Sequence, residues 1–148
     1  MPTQLLSTRA KLALLFAVVT FLLCLGNQTL PLIDRDEPRF AEASREMLQN
    51  GNWIVPRFND APRYDKPPLI YWMHVGCYHL LGDNAFAARL PAALCTAATT
   101  VLIALWGARI ASANIGFQAA LIYTLCIQCF VHGRAAVADP PMILFSTL

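Results

Sequence analysis

The sequence predicts an all-α integral membrane protein, and three observations carry that reading. Apolar residues make up 57% of the chain and charged residues only 14%, with a mean hydropathy of +0.48; soluble domains average about 25% charged. Fifteen of the twenty formal charges crowd between Asp34 and Arg89, with strongly apolar stretches on either side. Several of those stretches are long enough for a helix to cross a hydrocarbon core of about 30 Å. The charged segment then reads as a water-facing loop on a membrane scaffold.

The 148 residues suit one ordinary domain. After Arg9 and Lys11, an apolar run from Leu12 to Ile33 is expected to form a first span, over about 12–33. A cleaved signal peptide is the rival reading, but Pro31, Leu32 and Ile33 carry the apolar run past any cut near Gly26. The external loop is expected over 34–89. Within it, Pro38 suits a helix start, Asp36 or Glu37 can cap it, and Asn50-Gly51 is a stop signal. An amphipathic surface helix is therefore expected over 38–50. Pro56, Asn59, Asp60 and Pro62 mark irregular chain after it, and Trp53 suits an interfacial anchor. A second surface helix is expected over 67–81, because its length is short for a crossing. Spans over 90–110 and 115–132 follow, separated by a turn at 111–114, and 140–148 begins a fourth.

Parity supports this order. With 67–81 lying along the membrane, Asp139 emerges on the same side as Asp36 and Lys66; as a span it would put Asp139 on the opposite side. Arg9, Lys11 and Arg109 then flank the inner ends, in keeping with the positive-inside rule.

Charge and motifs exclude several functions. The charged segment holds seven bases against eight acids, and the net charge is +2, so no basic surface for nucleic acid exists. The phosphate-loop, dinucleotide-binding, zinc-protease and nucleophile-elbow signatures do not occur. Cys126 and Cys129 form a C-x-x-C, which reads as redox or metal chemistry or, more simply, as two small side chains on one helix face. The odd number of cysteines argues against a disulfide framework.

The residues that suit chemistry lie at the loop's edges. Asp36 and Glu37 stand where a membrane helix emerges; a cap needs one acid, and the other can orient an acceptor or take its proton. Lys66, held by Pro67-Pro68, suits a lipid-linked phosphate as a point charge, or is a snorkelling lysine. Asp65 can pair with an arginine or hold a divalent cation. Asp139, before Pro140-Pro141, is either a helix cap or a site residue. His132 and Arg134 lie nearby in sequence.

Asp36-Glu37-Pro38-Arg39-Phe40-Ala41-Glu42, Asp65-Lys66-Pro67-Pro68, Ala87-Ala88-Arg89-Leu90-Pro91 and Ala138-Asp139-Pro140 together resemble the membrane glycosyltransferases of GT-C architecture. That family includes the aminoarabinose transferases and protein O-mannosyltransferases. The resemblance runs from about Asp34 onward and implies the N-terminal part of a polytopic GT-C fold, with interfacial helices in the first external loop. It implies transfer of a sugar from a polyprenyl-phosphate carrier to a lipid A-type glycolipid or a protein, with membrane lipids as further partners. The reaction would take place in the bacterial inner membrane, with 34–89 on the periplasmic side. Asp36 would be the catalytic carboxylate, supported by Glu37 and Asp139; Lys66 and Arg39 would hold the carrier phosphate.

Two departures from the family pattern stand out. Phe40 replaces a tyrosine, and Asp65 replaces a glutamate that can meet a divalent metal ion. Family members are several times longer, so these residues alone are expected to be inactive. A non-catalytic helical subunit or a truncated remnant is the alternative. A transporter half would place acids inside the spans, and the three full spans contain none.

Overall fold

The computed structural model describes residues 8–33 and 35–148. Asp34, the expected first residue of the external loop, lies outside the described residues. Helix α1 (Thr8–Cys24) ends well before Ile33, which corrects the expected 12–33 helix. Gly26 turns into the left-handed region at φ +74°, and the Asn27 side-chain Nδ2 donates to the Leu23 carbonyl at 3.0 Å. These local stop signals outweigh the apolar composition that continues to Ile33.

Helix α2 (Glu37–Asn50) starts one residue before the expected boundary and stops at Gly51, whose φ is 66° and whose amide donates to the Met47 carbonyl. Phe40, Ala43 and Met47 form its buried stripe against Ile70, Tyr71 and Val75 of helix α3 (Leu69–Leu81). Between the two helices, a short antiparallel hairpin pairs β1 (Arg57–Phe58) with β2 (Ala61–Pro62) in a segment expected to be wholly irregular. Its turn residues Asn59 and Asp60 take positive φ values of 52° and 62°, as a two-residue hairpin turn demands. The Glu46 carboxylate on α2 accepts both turn amides, at 2.6 and 3.3 Å.

Beneath the α2–α3 pair, Ser44 donates to the Phe40 carbonyl at 2.7 Å and lies 3.1 Å from His74 Nδ1. Ser44 has one hydroxyl hydrogen, already committed, so Nδ1 must donate to it. His74 Nε2 is left as a buried lone pair without a partner among the described residues.

Helix α4 (Ala85–Ile110) is the central element, packing on α1, on α3 and on two later helices, over 113–125 and 139–147. The Asn84 side chain caps it by accepting the Ala87 amide at 2.9 Å. Its 26 residues extend about 39 Å, and it alone among the described helices is long and apolar enough to cross a bilayer.

Helix α5 (Ala113–Leu125) packs on α4 through glycines, and a break at Cys126 separates it from α6 (Ile127–His132). The continuous helix expected over 115–132 is thus interrupted, at a residue with an extended ψ of 123°. The break leaves Cys126 exposed and Cys129 half-buried, both as free thiols, so the two do not share the packing face expected of them. Helix α7 (Asp139–Thr147) has Pro140 in its first turn, where the missing amide hydrogen costs nothing.

At the α4–α5 crossing, a Cβ on Gly116 would overlap the Ala104 carbonyl oxygen and lie 2.6 Å from the Ala108 nitrogen. Gly116→Leu is therefore expected to destabilise the fold by at least about 1–3 kcal/mol, measured as a fall in melting temperature in detergent.

Burial drives the pKa of His74 down from 6.5 to about 4. The folded protein keeps the ring neutral while the unfolded chain protonates near 6.5. Stability is complete above that pH and declines as pH falls toward 4, by on the order of 3 kcal/mol. Melting temperatures across pH 7.5 to 4 should show this decline, and His74→Leu should remove its histidine-dependent part.

Candidate functional site

Three separate segments bring charged side chains to one cavity of about 340 Å³. Asp36 enters from the start of α2, Lys66 from the approach to α3, and Asp139 from the start of α7. Glu37 and Arg89 lie in the same wall, and His132 and Arg134 line it from the end of α6 and the arm after it. Four of the residues singled out in the sequence (Asp36, Glu37, Lys66 and Asp139) therefore meet around one space. Arg39 and Asp65 line a second cavity, of about 450 Å³, with Phe58, Arg63 and Tyr64. Phe40, which faces the first cavity, carries the Arg63 guanidinium 5.2 Å from its ring centre, so this stacked pair lies between the two.

The helix-cap reading of Asp36 does not hold, because its side chain makes no capping hydrogen bond. Glu37 takes up the preceding backbone instead: its Oε2 accepts the Ile33 amide at 2.8 Å, and its Oε1 accepts the Ala136 amide at 2.7 Å. Arg89 bonds both oxygens at 2.9 Å, through Nε and Nη2. All four acceptor positions of the carboxylate are thereby filled. Arg89 places its remaining hydrogens on the carbonyls of Asn27 (3.0 Å), Leu30 (2.9 Å) and Pro31 (2.8 Å). Both residues are buried, at 3% exposure each. Burial by itself would raise the Glu37 pKa, but the hydrogen bonds from Arg89, Ala136 and Ile33 outweigh it and hold the carboxyl below its ordinary value.

Asp36 and Lys66, by contrast, stay exposed, with no side-chain partner among the described residues. They are the uncommitted acid and base of the cavity. Asp139 Oδ2 lies 3.8 Å from His132 Nε2. Arg134 donates to the carbonyls of Leu22 and Leu25 at the end of α1 and stacks on Phe130 at 5.3 Å.

Arg89 was legible only as part of a motif, and nothing in its spacing announced a partner 52 residues away. His132 and Arg134 gave no signal beyond proximity to Asp139 in the chain.

Asp65 does not fit a metal ion with the residues present here. It is exposed and sits 3.5 Å from Arg63, and no group of three or more His, Cys, Asp or Glu among the described residues is placed to hold a cation.

Residues 65–148 match the family model described as dolichyl-phosphate-mannose-protein mannosyltransferase. The chain is 37% identical over 143 residues to an undecaprenyl phosphate-alpha-4-amino-4-deoxy-L-arabinose arabinosyl transferase of Photorhabdus laumondii, covering 93% of this chain and 25% of that protein. It is 38% identical over 140 residues to the Yersinia pestis protein of the same name, with the same coverage. The chain thus spans about a quarter of the length of the curated relatives it matches. The crystal structure of ArnT from Cupriavidus metallidurans in the apo state superposes with a TM-score of 0.84 at 26% identity, covering 95% of this chain and 26% of that one. The same protein bound to undecaprenyl phosphate superposes at 0.76 and 25% identity, with the same coverage.

Glu37→Gln strips the buried Arg89 of its counter-charge and should cost about 3–5 kcal/mol. Asp36→Asn, one residue away but exposed, should change stability by less than about 0.5 kcal/mol. Thermal unfolding of the two variants side by side checks this contrast.

Proposed function

Because the chain belongs to the dolichyl-phosphate-mannose-protein mannosyltransferase family of GT-C membrane glycosyltransferases, we propose that it is the N-terminal part of an enzyme moving a sugar from a polyprenyl-phosphate carrier to an acceptor. The acceptor is a lipid A-type glycolipid or a protein, met at the outer face of the bacterial inner membrane. The observation that carries this reading is the meeting of Asp36, Lys66 and Asp139 around one cavity, with Asp36 and Lys66 left uncommitted beside a saturated ion pair.

The chemistry is an inverting displacement. An acceptor oxygen attacks the anomeric carbon while the carbon–oxygen bond to the carrier phosphate breaks. Asp36 orients the acceptor, or deprotonates it if it is a hydroxyl. Asp139 faces the acceptor from the opposite segment. Lys66 meets the negative charge that develops on the departing phosphate, and Arg39 supports it from the adjoining cavity. Glu37 acts through its neighbours: tied to Arg89 and to two backbone amides, it fixes the backbone that presents Asp36. Asp65 lies 3.5 Å from Arg63, and no role in the transfer is assigned to it. The 148 residues by themselves are expected to transfer no sugar, because the matched relatives carry about three quarters of their length outside the shared region.

In the full-length gene product, Asp36→Asn should lower sugar transfer at least about 100-fold with an unchanged melting temperature. Wild-type rates in that variant would remove Asp36 from the reaction. Lys66→Met should weaken carrier binding, read as a raised KM for the lipid-linked donor.

A further inference from the structure

Arg63 is a buried cation that nothing in the proposed reaction uses. Its side chain is 9% exposed, although the next three residues, Tyr64, Asp65 and Lys66, are all exposed. The guanidinium approaches two aromatic rings, 5.2 Å from the centre of Phe40 on α2 and 5.8 Å from that of Phe58 on the hairpin. Its Nε donates to the Tyr71 hydroxyl of α3 at 3.2 Å, and its backbone amide donates to the Pro56 carbonyl at 2.8 Å. Side chain and main chain are thus both held, by α2, α3 and the hairpin segment. The Asp65 carboxylate, at 3.5 Å, is 68% exposed, so that ion pair adds little to the anchor. The aromatic faces and the Tyr71 bond carry it.

The consequence falls on Lys66, three residues farther along. Three residues span at most about 10 Å, and over 64–67 no backbone–backbone hydrogen bond is made among the described residues. On its other side Lys66 meets Pro67 and Pro68, which donate no hydrogen bond and hold a fixed φ. Lys66 therefore stands between a stiff proline pair and a short exposed tether that leads back to Arg63. Arg63 is the fixed point from which the chain delivers Lys66 to the cavity it shares with Asp36.

We propose that Arg63 is a positioning residue for Lys66, setting where the ammonium meets the carrier phosphate, and this rests on the transfer reaction proposed above. Arg63 itself lines the second cavity and touches neither the phosphate nor the reacting carbon. The effect of its loss on donor binding passes through Lys66.

The test uses the full-length gene product, with the donor titrated at saturating acceptor. Arg63→Met should raise the donor KM about tenfold and leave kcat within about twofold of wild type. Tyr71→Phe keeps the ring and removes only the hydroxyl that Arg63 donates to, so it should raise KM about threefold. In a Lys66→Met background neither change should raise KM further, because the group they position is gone. A residue that merely holds the fold would give additive effects instead. Additivity in this cycle, or a donor KM unchanged by the single substitutions, would overturn the proposal. If Arg63→Met does not fold, the cycle with Tyr71→Phe decides.

If the full-length protein transfers no sugar, the transfer reading itself falls, and the placement of Lys66 is decided separately. Lysines are reductively dimethylated with isotopically labelled formaldehyde, and the Lys66 methyl resonance is identified by its loss in Lys66→Arg. That resonance should shift and narrow in Arg63→Met and in Tyr71→Phe as the tether loosens. A Lys66 resonance of unchanged position and width in both variants would overturn the placement.

Discussion

The Glu37–Arg89 ion pair is the interaction on which the rest of this arrangement depends. Arg89 reaches from α4 to the carboxylate at the start of α2 and to three carbonyls of the segment after α1. Glu37 reaches onward to the backbone at Ala136, in the arm that leads to α7. Four chain segments, from the stretch after α1 to the arm before α7, are therefore joined at one buried point. A charge taken out of water carries a large desolvation penalty unless every hydrogen-bonding position is met. Here five guanidinium hydrogens and four carboxylate positions find partners, and most of those partners are main-chain groups. The pair consequently fixes backbone, which side-chain contacts alone would leave free to shift.

That commitment explains how adjacent acids come to differ so sharply. Glu37 supplies the acceptor for the chain entering α2, so Asp36 is released from capping and turns to the cavity. A similar separation of duties recurs around the space. Arg89 and Arg134 spend their hydrogens on carbonyls, whereas Lys66, set before two prolines, remains uncommitted. The cavity thus combines saturated groups that hold its walls with open groups of both signs that can meet a substrate.

Much of this was legible in the sequence, and the reasons are local. Pro38 and Gly51 delimit α2, the apolar stripe Phe40–Met47 gives its buried face, and the unbroken run after Arg89 gives the long helix. The converging acids and lysine were legible through short motifs that hold a proline beside the charged residue. Three things escaped. The end of α1 was masked by apolar residues past Gly26, so a glycine stop was outvoted by composition. The hairpin at Asn59–Asp60 is stabilised by Glu46, a partner no local pattern reveals. The roles of Arg89 and Arg134 are set by contacts across the fold, and residue spacing carries no record of those.

The break at Cys126 has neither proline nor glycine to explain it, and the glycines on either side supply the reason. Gly116 lies against the backbone of α4 near Ala104, while a Cβ on Gly133 would come within 2.8 Å of Thr96 Oγ1 farther along the same helix. The segment between them behaves as a beam clamped at both ends to a stiffer member. Such a beam relieves any mismatch in length or twist by buckling between its fixings. The kink at Cys126 thus lies between two points at which the segment is held against α4.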